Sequence, residues 1–136
     1  MVKKLNIQTI GLMNIFNSLT GVTAKDCFFD EEKLVFIVNE GDLGKVLGKK
    51  GANIQRIQNT LKRDIKVIEY SEDVIKFVKN LIYPAEVQKV YKEGTFVVIE
   101  PENNKIKGQI YGRERKNLEK INEILKKYSN TEVKIK

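Results

Sequence analysis

The segment GKVLGKKGANIQRIQNTLK at 44–62 returns without a gap as GQIYGRERKNLEKINEILK at 108–126, and this repetition restricts the chain more than any other feature. Gly44/Gly108, Gly48/Gly112, Asn53/Asn117, Ile57/Ile121, Leu61/Leu125 and Lys62/Lys126 are identical, and Val46/Ile110, Lys49/Arg113, Ile54/Leu118 and Arg56/Lys120 are conservative. Two amphipathic helices can share isoleucines and leucines by chance; matched glycines and a matched asparagine are harder to obtain that way. The chain therefore reads as one unit used twice at a spacing of about 64 residues. Units of this size lie near the lower limit of independent folding, so the two should lean on each other.

The flanks repeat as well. In the first copy Ile7, Ile10, Met13, Phe16 and Leu19 mark a helical face that Gly21 should end. In the second, Val74, Phe77, Val78, Leu81 and Ile82 follow the i, i+3, i+4, i+7, i+8 pattern; Ser71 can cap that helix, Glu72 and Asp73 suit its positive end, and Pro84 stops it. A hairpin follows each helix: residues 22–29 and 34–39 around Asp30-Glu31-Glu32-Lys33, and residues 86–92 and 95–100 around Glu93-Gly94, where a positive φ is expected at the glycine. Beyond each glycine-bearing segment a helix presents Ile54, Ile57 and Leu61, or Leu118, Ile121 and Leu125, to the core. Strands 65–69 and 132–136 close the copies. The boundary falls near Tyr70-Ser71, and without a proline- or serine-rich linker the halves should dock rigidly. A sheet with helices on one face buries such stripes most simply.

Composition narrows the function. An apolar fraction of 41% and a charged fraction of 32% describe a folded protein with no bilayer-spanning run. The start, MVKKLNIQTI, is interrupted by Asn6, Gln8 and Thr9 and is read as a mature cytosolic N-terminus, so a cytoplasmic location is expected. One cysteine, Cys27, and no histidine exclude an intramolecular disulfide and a multi-cysteine zinc site, and Cys27 in its apolar run should be a small buried hydrophobe. The net charge of +7 is concentrated. Residues 44–66 carry seven basic side chains against Asp64, and residues 105–127 carry eight against three acids, which argues for two places where a polyanion is gripped.

The chemistry should lie in Gly48-Lys49-Lys50-Gly51. Two glycines spaced by two residues permit a sharp bend with close backbone approach, bare amides beside a helix N-terminus favour a phosphate, and Lys49 and Lys50 add full charge at the tip. Such a loop clamps sugar-phosphate while an adjacent apolar groove receives unpaired bases. A nucleotide-hydrolase loop is a poor alternative. It needs four residues between its glycines and a hydroxyl after the lysine, whereas three separate Gly44 from Gly48 and Lys49 is followed by Lys50. No catalytic carboxylate pair stands out, and no enzyme activity is expected.

The run Val46-Leu47-Gly48-Lys49-Lys50-Gly51-Ala52-Asn53-Ile54-Gln55-Arg56-Ile57 resembles the KH signature: an apolar pair, G-x-x-G, then apolar residues at the third and sixth positions after the second glycine. The element order, with a helix and strand ahead of the signature, resembles the prokaryotic type II KH arrangement. Two such units with almost nothing else resemble the archaeal NusA-like transcription factors, which lack the other domains of bacterial NusA. The resemblance covers nearly the whole chain. It implies an α+β fold of two tandem type II KH domains, 1–70 and 71–136, each a three-stranded sheet with helices packed on one face. It further implies a single-stranded RNA-binding factor of transcription elongation or termination, with RNA polymerase as a further partner. No metal, cofactor, small-molecule substrate or membrane is implied.

The nucleic-acid contacts expected are Lys45, Gly48, Lys49, Lys50, Gly51, Asn53, Ile54 and Arg56 in the first copy, with Asn53 either touching RNA or shaping the helix start and Ile54 also lining the base groove. The second copy departs from the signature. Gly112-Arg113-Glu114-Arg115 keeps only the first glycine, so Arg115 should be unable to adopt the glycine backbone, and Glu114 places a negative charge at the tip. Arg113, Arg115 and Lys116 around Gly112 would then hold phosphates through side chains, as a weaker site or an extension of the first. Two rivals stand beside this reading: a ribosomal or ribosome-assembly KH protein, and a protein-interaction scaffold that has lost RNA binding.

Overall fold

The computed structural model describes residues 7–30 and 33–136, with Ile7 described by its backbone alone. The basic start at residues 1–6 and the Glu31-Glu32 part of the expected turn lie outside the described residues. The fold is α+β and contains two three-stranded sheets. The chain divides into two compact units, one ending at Ser71 and the other running Glu72–Lys136.

In the first unit, α1 (Ile7–Thr20) precedes β1 (Asp26–Asp30) and β2 (Lys33–Val38), an antiparallel pair; α2 (Leu43–Leu47) and α3 (Ala52–Leu61) then carry the chain across to β3 (Ile65–Glu69), which pairs parallel with β2. Gly21 at φ 74° ends α1 and its amide donates to the Asn17 carbonyl at 2.7 Å, as the sequence predicts. Of the expected α1 face, Met13, Phe16 and Leu19 face the core and Ile10 does not. Phe16 is fully buried and stacks on Phe36 with centroids 4.1 Å apart, Leu12, Met13 and Leu19 pack beside it, and Thr9 is buried, but Ile10 is half exposed. A spacing of three drifts round a 3.6-residue helix, so a stripe that includes Phe16 and Leu19 leaves Ile10 behind. The core continues through Val22, Ala24, Cys27, Leu34, Phe36, Val38, Val46 and Ile57. The first strand is shorter than expected: Val22 and Ala24 are buried but precede it.

The second unit repeats the order: α4 (Val74–Ile82), β4 (Val87–Glu93), β5 (Phe96–Pro101), α5 (Asn104–Tyr111), α6 (Lys116–Tyr128) and β6 (Glu132–Ile135), with β4–β5 antiparallel and β5–β6 parallel. Phe77, Val78, Leu81 and Ile82 are buried as the periodicity required. The cap of α4 is Asp73, whose carboxylate accepts from the Ile75 amide at 3.1 Å and the Lys76 amide at 3.5 Å; Ser71 is buried instead. Gly94 has the expected positive φ of 61°. Ile110, Ile121, Ile124 and Leu125 are buried, and the Asn122 side chain accepts from the Val133 amide at 2.8 Å, tying α6 to β6. Among the described residues no helix is long and apolar enough to cross a membrane.

Candidate nucleic-acid interface

Each parallel strand pair needs a crossover, and in both units that crossover is a short helix, one tight 3-10 turn and a longer helix. In the first unit the turn is Lys49–Gly51. Val46, on the last turn of α2, is fully buried and Ile57 anchors α3, so the turn between them is pushed outward. Lys49 and Lys50 are exposed at its tip, and Gly48 and Gly51 are half-buried at its base. Lys45 and Arg56 are exposed on α2 and α3. Among the described residues none of these four cations has an ion-pair partner.

The two glycines serve different ends. Gly48 has φ 68° and ψ −174°, a region essentially closed to residues with a Cβ, and an added Cβ would lie 2.7 Å from Asn53 Cγ. Gly51 has φ 75° and ψ 14°, the ordinary left-handed region, and an added Cβ would meet only Ile54 Cγ2 at 3.6 Å. Lys50 is itself left-handed, at φ 53° and ψ 31°. The expected cradle of bare amides is smaller than the motif suggested. Gly48 N–H donates to the Gly44 carbonyl (3.1 Å), Gly51 N–H to that of Gly48 (3.4 Å), and Ala52 N–H to that of Lys49, leaving the Lys49 and Lys50 amides without a protein acceptor among the described residues.

Asn53 shapes the loop. Its Nδ2 donates to the Lys45 carbonyl at 2.9 Å, so the side chain fills the space beside Gly48 and ties the start of α3 to α2. Ile54 is half-buried against the core. The Glu69 carboxylate accepts from the Gly41 amide at 2.9 Å and fixes the approach to α2.

The second turn, Arg113–Arg115, has nearly the same backbone. Gly112 stands at φ 72°, ψ 175°, Glu114 at 56°, 29° and Arg115 at 63°, 14°. The expectation that Arg115 could not adopt the backbone of Gly51 is therefore overturned. The left-handed region costs an L-residue about 1–2 kcal/mol, which packing can absorb, whereas the region held by Gly48 and Gly112 cannot be entered so cheaply. A Cβ on Gly112 would lie 2.5 Å from Asn117 Cβ, and Asn117 Nδ2 ties α6 back to α5 as Asn53 ties α3 to α2, though its short bond, 2.9 Å, is to the Ile110 carbonyl and the counterpart of the Lys45 bond, to Gln109, is 3.5 Å. The Arg115 guanidinium lies over Tyr111, 5.2 Å from the ring centroid, a contact worth about 0.5–1 kcal/mol at exposed sites. Lys116 Nζ lies 3.9 Å from the Glu114 carboxylate, while Arg113 has no ion-pair partner among the described residues.

A KH-domain family model matches residues 13–93, a span that includes the whole first turn. The chain belongs to the KH family. This KH chain is similar to archaeal proteins named probable transcription termination protein NusA. It is 34% identical over 124 residues to that of Methanococcus vannielii, covering 89% of this chain and 72% of that protein. To that of Methanocaldococcus jannaschii it is 30% identical over 139 residues, covering 97% and 74%. The crystal structure of APE1850 is similar with a TM-score of 0.71 and 31% identity, over 97% of this chain and all of that one.

Two residues beside the turns of this KH chain escaped sequence reasoning. Leu47 is apolar yet 38% exposed immediately before Gly48, and Tyr111, its counterpart in the repeat, lies under Arg115. The aligned repeat placed both at the residue preceding the turn's first glycine; only the packing shows that Leu47 stays exposed and Tyr111 half-buried. Cys27 is fully buried, and burial, with the neighbouring Asp26 carboxylate adding to it, pushes its thiol up to about 12, so it is no nucleophile at neutral pH.

Proposed function

We propose that the protein is a single-stranded RNA-binding, NusA-like factor of transcription elongation or termination, built from two tandem type II KH domains, 1–70 and 71–136. The observation that carries this is the outward 48–51 turn, with two amides and four cations around it that have no partner among the described residues. A phosphate seated there would accept from the Lys49 and Lys50 amides at the positive end of α3, with both ammonium groups within reach. Phosphate contacts carry no sequence information, so selectivity should be modest and come from apolar surface such as Leu47 and Ile54. Arg113, Arg115 and Lys116 form the second contact.

The names of the archaeal relatives support the transcription role. Titrating labelled single-stranded RNA at several salt concentrations tests the binding itself: each phosphate neutralised should contribute roughly −0.7 to the log–log slope. A flat slope with weak affinity would leave a protein-interaction scaffold as the better reading. Co-purification with RNA polymerase tests the process; co-purification with ribosomal subunits instead would move the protein to ribosome assembly.

A further inference from the structure

The geometry points to Glu114, and not the missing second glycine, as the residue that sets how strongly the 112–115 turn holds RNA. The inference rests on the RNA-binding reading above and assigns the control of its second contact. The two turns superimpose in backbone terms: their three left-handed or glycine-only positions differ by no more than about 12° in φ or ψ. Both keep the glycine that cannot be replaced and the asparagine that packs against it. What differs is charge. Where the first turn carries Lys50, the second carries Glu114, and that carboxylate engages Lys116, one of the cations otherwise available to a phosphate. A carboxylate at the tip repels the phosphate and occupies its counter-charge at once.

Replacing Glu114 should therefore do what restoring glycine does not. In the full chain, Glu114→Gln is expected to tighten single-stranded RNA binding by roughly fivefold at low salt and to steepen the salt slope by about 0.7, one phosphate gained. Arg115→Gly, which rebuilds the G-x-x-G pattern, is expected to bind no more tightly than the native chain, having lost a guanidinium. Glu119→Gln removes the same charge from the exposed side of α6 and should change affinity less than twofold. All side chains concerned are exposed, so Glu114→Gln and Glu119→Gln should melt with the native chain and Arg115→Gly, which relieves a left-handed residue, should melt no lower; a change in affinity is then not a folding defect. Tighter binding by Arg115→Gly than by Glu114→Gln overturns the inference, as does an equal gain from Glu114→Gln and Glu119→Gln, or no gain from Glu114→Gln. If the native chain shows no salt-dependent RNA binding at all, it is the functional reading that falls.

Discussion

At Gly48 a methyl group would have to sit 2.7 Å from Asn53 Cγ on a backbone at φ 68°, ψ −174°. At Gly51 the same methyl would make an ordinary contact on a left-handed backbone. Gly48→Ala should accordingly cost about 3 kcal/mol or more and Gly51→Ala about 1 kcal/mol, a difference that urea denaturation midpoints will resolve. Cys27 makes a second testable point. Its folded thiol holds the proton until about 12 while the unfolded chain releases it near 9.0, so the unfolded state binds fewer protons in that window. The stability contributed by the protonated thiol is complete below pH 9 and is lost as pH rises towards 12. Subtracting the pH profile of Cys27→Ala from that of the native chain isolates this decline; parallel profiles would mean that the thiol is not buried.

Among the secondary elements, α4 shows how a cap is chosen. Ser71, Glu72 and Asp73 were all chemically able to sit at the helix start, but burial of Ser71 and the side-chain bonds of Asp73 put the cap at Asp73. Asp73→Ala should destabilise the protein by about 1 kcal/mol, read from thermal or urea unfolding. The crossover helices show the same dependence on surroundings. α2, only five residues long, could not persist alone; Val46 packed in the core and the Asn53 bond to the Lys45 carbonyl hold its end in place.

For the molecule as an RNA binder, charge placement matters more than the total of +7. Lys49→Asp combined with Lys50→Asp should remove most RNA affinity and flatten the salt slope by about 1.4, the loss of two phosphates. Its unfolding free energy should stay within about 0.5 kcal/mol of the native value, because both side chains stand in solvent. Equal loss of fold and binding would mean that the turn is structural.

The element order, the repeat, the outward glycine turn and most core residues could be read from the chain, because periodicity and glycine spacing are local properties recorded in residue order. The KH family could be read in the same way, since its signature lies in one continuous run. Three matters could not. The exposure of Ile10 on an otherwise expected α1 face depends on how Phe16 meets Phe36 from a distant strand; the cap of α4 depends on which of three neighbours is buried; and the backbone of Arg115 depends on a cost that packing around Tyr111 and Asn117 absorbs. Each is a choice between local options of nearly equal energy, and contacts between residues separated along the chain are what separate them.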